Sequence, residues 1–265
     1  MDCMYLRIST WKKSLKEIEI SADRRKDKHS PVTEEERTKL RSVIGRLNWL
    51  AIQTRPDISY DVCELSTSQK NATVEQLMKA NKVVKKAKYN TVFLHYPILD
   101  LEDLSLRCYA DASYGNLQDG GSQGGVYIEL VSGSGSQSAP IDWQSKRLRR
   151  TPKSTLAAET ISMVEGIEAS FLVSKVLSEI LYNSSKHIPL EAITDNYSLF
   201  EAAHATTAVQ DKRLRIEMSI LREGIARDEF QLKWVKTGSQ LSDCLTKRGS
   251  DPRMLVERIT GKDVY

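Results

Sequence analysis

Apolar residues in the first hundred positions recur three and four residues apart, which is the spacing of a helix face. Capping boxes of the form S/T-x-x-E/Q begin at Thr33 and at Thr73, and each precedes such a repeat. We therefore predict one helix from 33 to about 51 and another from 73 to about 89. A shorter helix is expected between them at Pro56, because a first-turn proline loses no helical hydrogen bond. The first thirty residues are polar and charge-dense, and we predict a frayed or partly ordered lead-in.

Beyond Pro97 apolar and polar residues alternate, which is the two-residue period of a strand. Turns rich in glycine and serine separate the alternating runs. The predicted strands lie at about 104–111, 126–131, 141–145, 188–195 and 230–235, and the predicted helices are a long one at about 155–182, a short one through Leu199 and Ala202, one at about 212–227, and a final turn or more from 241. This order indicates a mixed α/β sheet domain and argues against a barrel or a bundle.

The long predicted helix carries a carboxylate on its apolar face. Its apolar stripe is predicted to consist of Leu156, Met163, Ile167, Phe171, Leu172 and Val176. Glu159 lies three residues after the first of these and four before the second, so its side chain is predicted to face the core. A buried carboxylate is costly unless it is paired, hydrogen-bonded or bound to a cation. Glu159 is therefore a candidate functional residue.

Three further carboxylates lie at the ends of predicted elements. Asp111 and Asp195 end the first and fourth strands of the predicted sheet, where ligand crevices form in open α/β sheets. Asp243 opens the last helical turn. Each of these aspartates, taken alone, is also explained as a turn residue or as an acid at a helix N-terminus.

Composition and charge narrow the class of protein. The chain has 265 residues, of which 40% are hydrophobic, and this is enough for a core. No uncharged apolar run reaches the roughly 18 residues of a membrane span, and the start lacks a secretory signal. The four cysteines lie far apart, as expected of reduced thiols in a cytoplasmic or nuclear protein. The formal net charge of +4 permits nucleic-acid binding without demonstrating it.

Basic residues cluster between the third strand and the long helix. This basic loop consists of Lys146, Arg147, Arg149, Arg150 and Lys153. A second, smaller cluster contains Lys212, Arg213 and Arg215. Charge runs of this kind are compatible both with a solvated surface and with a surface that binds phosphate groups, and the residues alone do not decide between the two.

Ordered strings of residues resemble the Pol polyproteins of copia-type retrotransposons. Two early strings are similar to the segment that follows the polymerase palm in that family: Leu40-Arg41-Ser42-Val43-Ile44-Gly45-Arg46-Leu47-Asn48-Trp49-Leu50-Ala51 and Thr54-Arg55-Pro56-Asp57-Ile58. Five later strings resemble successive motifs of the family's ribonuclease H domain: Tyr109-Ala110-Asp111-Ala112-Ser113, Trp143-Gln144-Ser145-Lys146, Ser154-Thr155-Leu156-Ala157-Ala158-Glu159, Thr194-Asp195-Asn196 and Gln240-Leu241-Ser242-Asp243-Cys244-Leu245-Thr246-Lys247. The similarity runs from about residue 15 to 248, with the motifs in the family's order.

The resemblance implies a ribonuclease H-like fold, with a mixed five-stranded sheet and flanking helices preceded by a small helical segment. It implies that Asp111, Glu159, Asp195 and Asp243 correspond to the family's catalytic and metal-binding acids. Carboxylates in close proximity repel one another, and Mg²⁺, or Mn²⁺ as a substitute, relieves that repulsion. Two ions roughly 3.5–4 Å apart would serve hydrolysis of a phosphodiester. The implied substrate is the RNA strand of an RNA–DNA hybrid, which its 2′-hydroxyls distinguish from DNA.

The resemblance also gives the basic loop an expected role. Lysine and arginine contacts to phosphate position a duplex without reading its sequence, as an enzyme that cuts any hybrid requires. We therefore expect the basic loop to bind the hybrid. Gln144 and Asn196 are expected either to hydrogen-bond the hybrid or to orient a carboxylate.

The chain departs from the family pattern at several points. It has no Tyr-x-Asp-Asp pair, no integrase-type zinc motif and no protease signature, so no DNA synthesis is expected. We expect a C-terminal piece of a polyprotein whose missing palm is a candidate partner, with a thumb or connection-like segment at 1–97, a ribonuclease H-like domain at 103–248 and a tail at 249–265. Lys236-Thr237-Gly238 follows the fifth strand, where many ribonucleases H carry a histidine.

Three functions are compatible with these residues. The first is an active, metal-dependent endonuclease of RNA–DNA hybrids. The second is a catalytically inactive retrotransposon remnant that only binds nucleic acid or a polymerase partner. The third, a carboxylate-pair hydrolase that acts on sugars, requires only two acids and leaves the basic loop unexplained.

Overall fold

A computed structural model of the protein describes residues 4–6, 14–207, 209 and 211–262. The chain divides into two compact units, a helical unit formed by residues 5–94 and a sheet unit that contains Met4 and the residues from His95 onward. The domain boundaries expected at 97, 103 and 248 stay predictions.

In the described part of the helical unit, two of the helices begin at the expected capping boxes. The helices are α1 (Ala22–Lys26), α2 (Glu34–Thr54), α3 (Ser59–Ser68) and α4 (Val74–Tyr89), and short strands β1 (Met4–Leu6) and β2 (Leu94–Tyr96) flank them in the sequence. The Thr33 N–H donates to the Glu36 carboxylate at 2.8 Å, and the Glu36 N–H donates to the Thr33 hydroxyl at 3.2 Å. These bonds satisfy donors that the start of α2 would otherwise leave unpaired.

Part of the lead-in before α2, which was expected to be frayed or partly ordered, packs into the core of the helical unit. Leu15, Ile18 and Ile20 are buried in the apolar core that α2, α3 and α4 share. Asn81 on α4 fastens this segment, because its side chain accepts from the Ile18 N–H at 2.7 Å and donates to the Ile18 carbonyl at 2.8 Å. The polar composition concealed three core residues. Residues 7–13 of the lead-in lie outside the described residues.

A buried ion pair links two parts of the helical unit at the Arg-Pro-Asp-Ile string. The side chains of Arg55 and Asp57 are 3% and 2% exposed, and the guanidinium donates to both carboxylate oxygens, at 2.7 and 2.9 Å. Arg55 also donates to the Ala87 carbonyl at 2.9 Å. That carbonyl belongs to the last turn of α4, where no helical N–H is available to it. The string therefore has a structural role, tying the turn before α3 to the end of α4.

The sheet unit contains a mixed five-stranded sheet, which confirms the predicted fold class. Its strands are β3 (Ser105–Ser113), β4 (Gln123–Ser132), β5 (Gln137–Arg147), β6 (Leu190–Thr194) and β7 (Gln231–Trp234). They lie in the order β5–β4–β3–β6–β7. The pairs β4–β5 and β3–β4 are antiparallel, whereas β3–β6 and β6–β7 are parallel. The central strand β3 therefore has one neighbour of each kind.

The described helices of the sheet unit are α5 (Thr155–Tyr182), α6 (Tyr197–His204), α7 (Lys212–Ala226) and α8 (Arg253–Ile259). Ser154 caps the long helix α5, where its hydroxyl accepts from the Ala157 N–H at 3.1 Å. Helix α8 lies in the stretch expected to be a tail, and it buries Leu255 and Ile259. None of the helices in the described part of the chain combines the length and the apolar character that crossing a bilayer requires.

The apolar stripe predicted for α5 is only partly correct. Met163 is buried, but Leu172 and Val176 are 67% and 46% exposed. The buried face continues instead through small residues, namely Gly166, Ser170, Ser174 and Ser178. A Cβ added at Gly166 would lie 2.9 Å from the Cys108 Sγ on β3. The helix therefore packs too close to the sheet for large side chains at these positions.

Candidate metal centre

Three of the four predicted acids converge at one edge of the sheet. Asp111 lies near the end of β3, Asp195 directly follows β6, and Glu159 lies in the second turn of α5. Because β3 and β6 are parallel neighbours, their carboxyl ends meet at the same edge. One carboxylate oxygen from each of the three residues lies within 4.8 Å of the other two. We refer to Asp111, Glu159 and Asp195 as the acidic triad.

Burial and like charge make the acidic triad electrostatically costly. Asp111 is 2% exposed and Glu159 5%, whereas Asp195 is half-buried. Burial, together with the charges of Asp111 and Asp195, raises the pKa of Glu159 to about 9. The Glu159 Oε2 atom is buried and has no hydrogen-bond partner among the described residues. Buried carboxylates normally have such a partner, so this oxygen is available to a ligand.

The segment that follows β7 is fastened to the sheet beside the triad. The Gln240 amide donates to the Ala110 carbonyl at 3.0 Å, and the Ser145 hydroxyl donates to the Leu245 carbonyl at 2.6 Å. Gly125 on β4 permits the close approach, because a Cβ there would lie 2.8 Å from the Leu245 Cβ. The last of the motif strings therefore braces the strand that carries Asp111.

Two side chains of this segment contact Asp111 directly. The Thr246 hydroxyl donates to Asp111 Oδ2, and Lys247 Nζ lies 3.8 Å from the same oxygen. Burial raises the pKa of Asp111, and the Lys247 charge and the Thr246 hydrogen bond counteract only part of that rise. Burial lowers the pKa of Lys247, but the Asp111 and Asp243 carboxylates outweigh it, so the net shift is upward. Lys247 therefore places a positive charge beside the triad.

The fourth predicted acid, Asp243, lies outside the group that meets within 4.8 Å. It begins a 3-10 turn, Asp243–Leu245, where a helical turn was predicted. Its carboxylate accepts from the Lys247 ammonium and from the Ser250 hydroxyl. Its role as a metal ligand stays a prediction. Lys247 was not among the residues predicted to form the site, although a lysine four residues after an aspartate is a recognisable signal of an ion pair.

An open cleft of about 350 Å³ lies over the triad. Its other lining residues are Ala112, Ser113, Tyr114, Thr155, Asn196, Thr237 and Lys247. Thr237 also lines the cleft. It belongs to Lys236-Thr237-Gly238, the sequence found at the position where a histidine was expected from the resemblance. The Asn196 side chain accepts from the Leu199 N–H at 2.9 Å, so Asn196 also serves as the N-cap of α6.

Apart from Asn196, which precedes α6, the residues predicted to bind nucleic acid lie on the end of β5 and on the loop after it. Three members of the basic loop pair with acids, Lys146 with Glu165 at 3.0 Å, Arg147 with Asp119 and Arg150 with Glu217. Arg149 and Lys153 are exposed, and Lys153 lies near the Asp211 carboxylate, whose pKa the Arg213 N–H and the Lys153 charge lower. Gln144 donates to Asp142 at 3.0 Å. The assignment of these residues to nucleic-acid binding stays a prediction.

The donor set of the triad fits a hard divalent cation. All three ligands are carboxylates, which are the oxygen donors that Mg²⁺ and Mn²⁺ prefer. A bound cation would engage the unpartnered Glu159 oxygen and would offset the mutual repulsion of the three charges. The triad is therefore a candidate site for a divalent cation.

Known proteins similar to this chain include retrotransposon proteins, although no protein-family model matches it. The chain is 27% identical over 215 residues to a retrovirus-related Pol polyprotein from transposon RE1 of Arabidopsis thaliana, which covers 79% of this chain and 14% of the relative. It is 32% identical over 131 residues to a putative transposon Ty5-1 protein of Saccharomyces cerevisiae, which covers 49% of this chain and 41% of the relative. The resemblance to copia-type retrotransposon Pol polyproteins is confirmed.

Solved structures similar to this chain include ribonuclease H1 LC11, which was isolated from compost. The sequence identity is 13%, the match covers 54% of this chain and 92% of that one, and the TM-score is 0.40. The chain spans less than half the length of both curated relatives, at 14% and 41%.

Proposed function

We propose that the sheet unit is a metal-dependent nuclease that hydrolyses the RNA strand of an RNA–DNA hybrid. One observation carries the proposal: oxygens of Asp111, Glu159 and Asp195 meet within 4.8 Å in an open cleft. A set of carboxylates without histidine or cysteine suits one or two Mg²⁺ ions, or Mn²⁺ as a substitute, better than zinc. All three acids also lie in strings that resemble ribonuclease H motifs.

The acids differ in what each must do before it can hold a cation. Asp111 is buried and fixed by Thr246, so it is the least mobile ligand. Glu159, whose pKa is raised to about 9, must release a proton. Asp243 can join the triad as a fourth ligand only after Lys247 and Ser250 release its carboxylate. Mg²⁺ bound here would supply the charge that activates a water and stabilises the leaving 3′ oxygen of a phosphodiester.

An RNA–DNA hybrid accounts for the charge of the loop between β5 and α5, the helix that carries Glu159. Arg149 and Lys153 are exposed, so they are the proposed first contacts to phosphate. Lys146, Arg147 and Arg150 would exchange their present acid partners for phosphate groups. The polymerase palm of a parent polyprotein is a proposed partner of the chain.

Cleavage of an end-labelled RNA–DNA hybrid by the full chain, with and without Mg²⁺, tests the proposed function. We expect cutting of the RNA strand only when Mg²⁺ is present. In Glu159→Gln the rate should fall about a hundredfold or more, because loss of an outer-shell partner alone costs metal sites about 10–100-fold.

Glu168→Gln is the matched control, since it makes the same substitution at an exposed position of the same helix. It should cut at the wild-type rate. Cutting that needs no metal, or that Glu159→Gln leaves intact, would contradict the proposal. Tight binding of the hybrid with no cutting under any metal condition would favour the inactive remnant instead.

A further inference from the structure

A row of aromatic rings begins beside the triad and follows α6. Trp234, the last residue of β7, donates its indole N–H to the Asp195 carbonyl at 3.0 Å. Tyr197 meets the Trp234 ring edge-on with the centroids 5.7 Å apart, and Phe200 lies 6.3 Å from Tyr197. The His204 ring lies 4.5 Å from Phe200. We call these four residues the aromatic track: Trp234, Tyr197, Phe200 and His204.

Three of the four rings of the aromatic track are exposed to solvent, and Phe200 is half-buried. Tyr197 is 54% exposed and Trp234 is 42% exposed, and His204 is also exposed. Large aromatic side chains gain most from burying their faces, so several exposed rings in contact mark a surface that a ligand can cover. A shallow cavity of about 600 Å³ continues the surface along Phe200 and His204.

The chemistry of the track favours unpaired nucleobases. Bases within a duplex stack on one another and offer only their edges in the grooves, so they cannot cover a ring face. Unpaired bases can do so, and stacking on an aromatic side chain strengthens binding by roughly tenfold or more per base. Lys236, which is exposed and lies two residues after Trp234, adds a positive charge for the phosphate backbone.

We propose that the aromatic track binds the unpaired bases of a single-stranded extension that adjoins the hybrid at the triad. The contact between Trp234 and the Asp195 carbonyl places the start of the track at the cleft, so the extension and the scissile strand can belong to one nucleic acid. This inference rests on the proposed function and names its preferred substrate, a hybrid with a single-stranded end. A fully paired, blunt hybrid would leave the track uncovered.

Binding is measured on the full chain without metal, so that no substrate is cut. Fluorescence anisotropy compares a fluorescein-labelled blunt hybrid with the same hybrid carrying an unpaired thymidine tail. We expect the tail to tighten binding by the wild type about tenfold. Tyr197→Leu should abolish that gain because it keeps an apolar side chain but removes the ring face. Tyr197→Phe should keep the gain.

Tyr89→Leu is the matched control, because Tyr89 is an exposed tyrosine in the helical unit. It should bind both hybrids as the wild type does. The loss in Tyr197→Leu should be equal at low and high salt, since stacking releases no counterions, whereas phosphate contacts weaken with salt. A tail that gives the wild type no gain, or a gain that Tyr197→Leu retains, would overturn the proposal.

Cleavage kinetics separate a failure of this inference from a failure of the proposed function. With Mg²⁺, Tyr197→Leu should raise KM for the tailed hybrid about tenfold and leave kcat unchanged. If the wild type cuts blunt and tailed hybrids with the same KM, the aromatic track is wrong and the nuclease stands. If no hybrid is cut but Tyr197→Leu still loses the gain from the tail, the nuclease is wrong and the aromatic track stands.

Discussion

Two groups of buried charged side chains, one in each unit, differ in how far the chain itself neutralises them. In the helical unit, Arg55 and Asp57 are almost fully buried, and two hydrogen bonds join them while a third reaches the Ala87 carbonyl. In the sheet unit, Asp111 and Glu159 are buried to a similar degree, but they lie beside each other and Asp195, and Lys247 offsets only part of this negative charge. One oxygen of Glu159 has no hydrogen-bond partner among the described residues.

A buried oxygen without a hydrogen-bond partner, rather than burial alone, therefore distinguishes the candidate site. Moving an ion out of water costs several kcal/mol, and a well-placed counter-ion offsets most of that cost. The Arg55–Asp57 pair is complete within the chain, so it needs no ligand to explain it. The acidic triad is incomplete, and incomplete buried charge is concentrated at functional sites because a ligand completes it.

The largest effect is expected when the complete pair is broken. Arg55→Ala leaves Asp57 buried without its cation and removes a donor from the Ala87 carbonyl. We expect the free energy of unfolding of the helical unit to fall by about 3–5 kcal/mol. Chemical denaturation followed by hydrogen–deuterium exchange measures this for each unit of the full chain.

Arg227→Ala provides the comparison, because Arg227 pairs with Glu223 on an exposed helix surface. Removing that pair should change stability by no more than about 0.5 kcal/mol. If Arg55→Ala lowers the free energy of unfolding no more than Arg227→Ala does, the buried pair does not stabilise the contact between the turn before α3 and the end of α4.

A pH-dependent effect, smaller than this for each pH unit, is expected from the incomplete cluster. The pKa of Glu159 is raised from 4.5 to about 9, chiefly by burial and then by Asp111 and Asp195. Between these two values the folded protein keeps a proton that the unfolded chain releases. The metal-free sheet unit should therefore lose stability as pH rises through this window, by at most about 1.4 kcal/mol per pH unit, and level off above it.

Urea denaturation across that pH range, with and without Mg²⁺, measures this dependence. Mg²⁺ binds the ionised carboxylate, so its apparent affinity should rise with pH over the same window. Glu159→Gln should flatten most of the stability decline, whereas the exposed Glu168→Gln should leave it unchanged. Stability that rises with pH in the metal-free protein would show that Glu159 does not hold a proton there.

Much of this contrast was predictable from sequence because it depends on local patterns. The alternation of apolar and polar residues located β3 and placed Asp111 near its end. The fourth predicted strand likewise placed Asp195 at the end of β6. Helical spacing placed Glu159 on an inward face, where it is indeed buried. Capping boxes fixed the start of α2 through bonds between residues three positions apart.

What escaped prediction depends on distances between elements. Leu172 and Val176 fit the apolar stripe of α5, yet the helix packs close to β3 and selects Gly166 and serines for the buried face. Helical periodicity predicts that large apolar residues are buried. Large side chains do not fit, however, where two backbones approach closely. The contact of Lys247 with Asp111 was hidden for a related reason, because the two residues lie far apart in sequence.

The smallest effect is expected from Lys247, whose ammonium offsets only part of the negative charge of the triad. Lys247→Met keeps the apolar stem and removes the ammonium beside Asp111 and Asp243. Since the side chain is 41% exposed, solvent screens the charge, and the metal-free sheet unit should lose about 1 kcal/mol or less. Lys175→Met, at an exposed position of α5, is the control.

The response to Mg²⁺ distinguishes an exchangeable counter-ion from a structural one. Ligand binding stabilises the folded state by RT ln(1 + [L]/Kd). Removing a group that competes with Mg²⁺ for the carboxylates therefore lowers the apparent Kd for Mg²⁺. If Lys247 competes with the metal, Mg²⁺ should stabilise Lys247→Met at lower concentrations than it stabilises the wild type. If Lys247 only supports the fold, both proteins should respond to the same Mg²⁺ concentrations from different starting stabilities. The first outcome would mean that a metal ion can replace Lys247 as the counter-ion of the triad, whereas Arg55 and Asp57 form a pair that no ligand replaces.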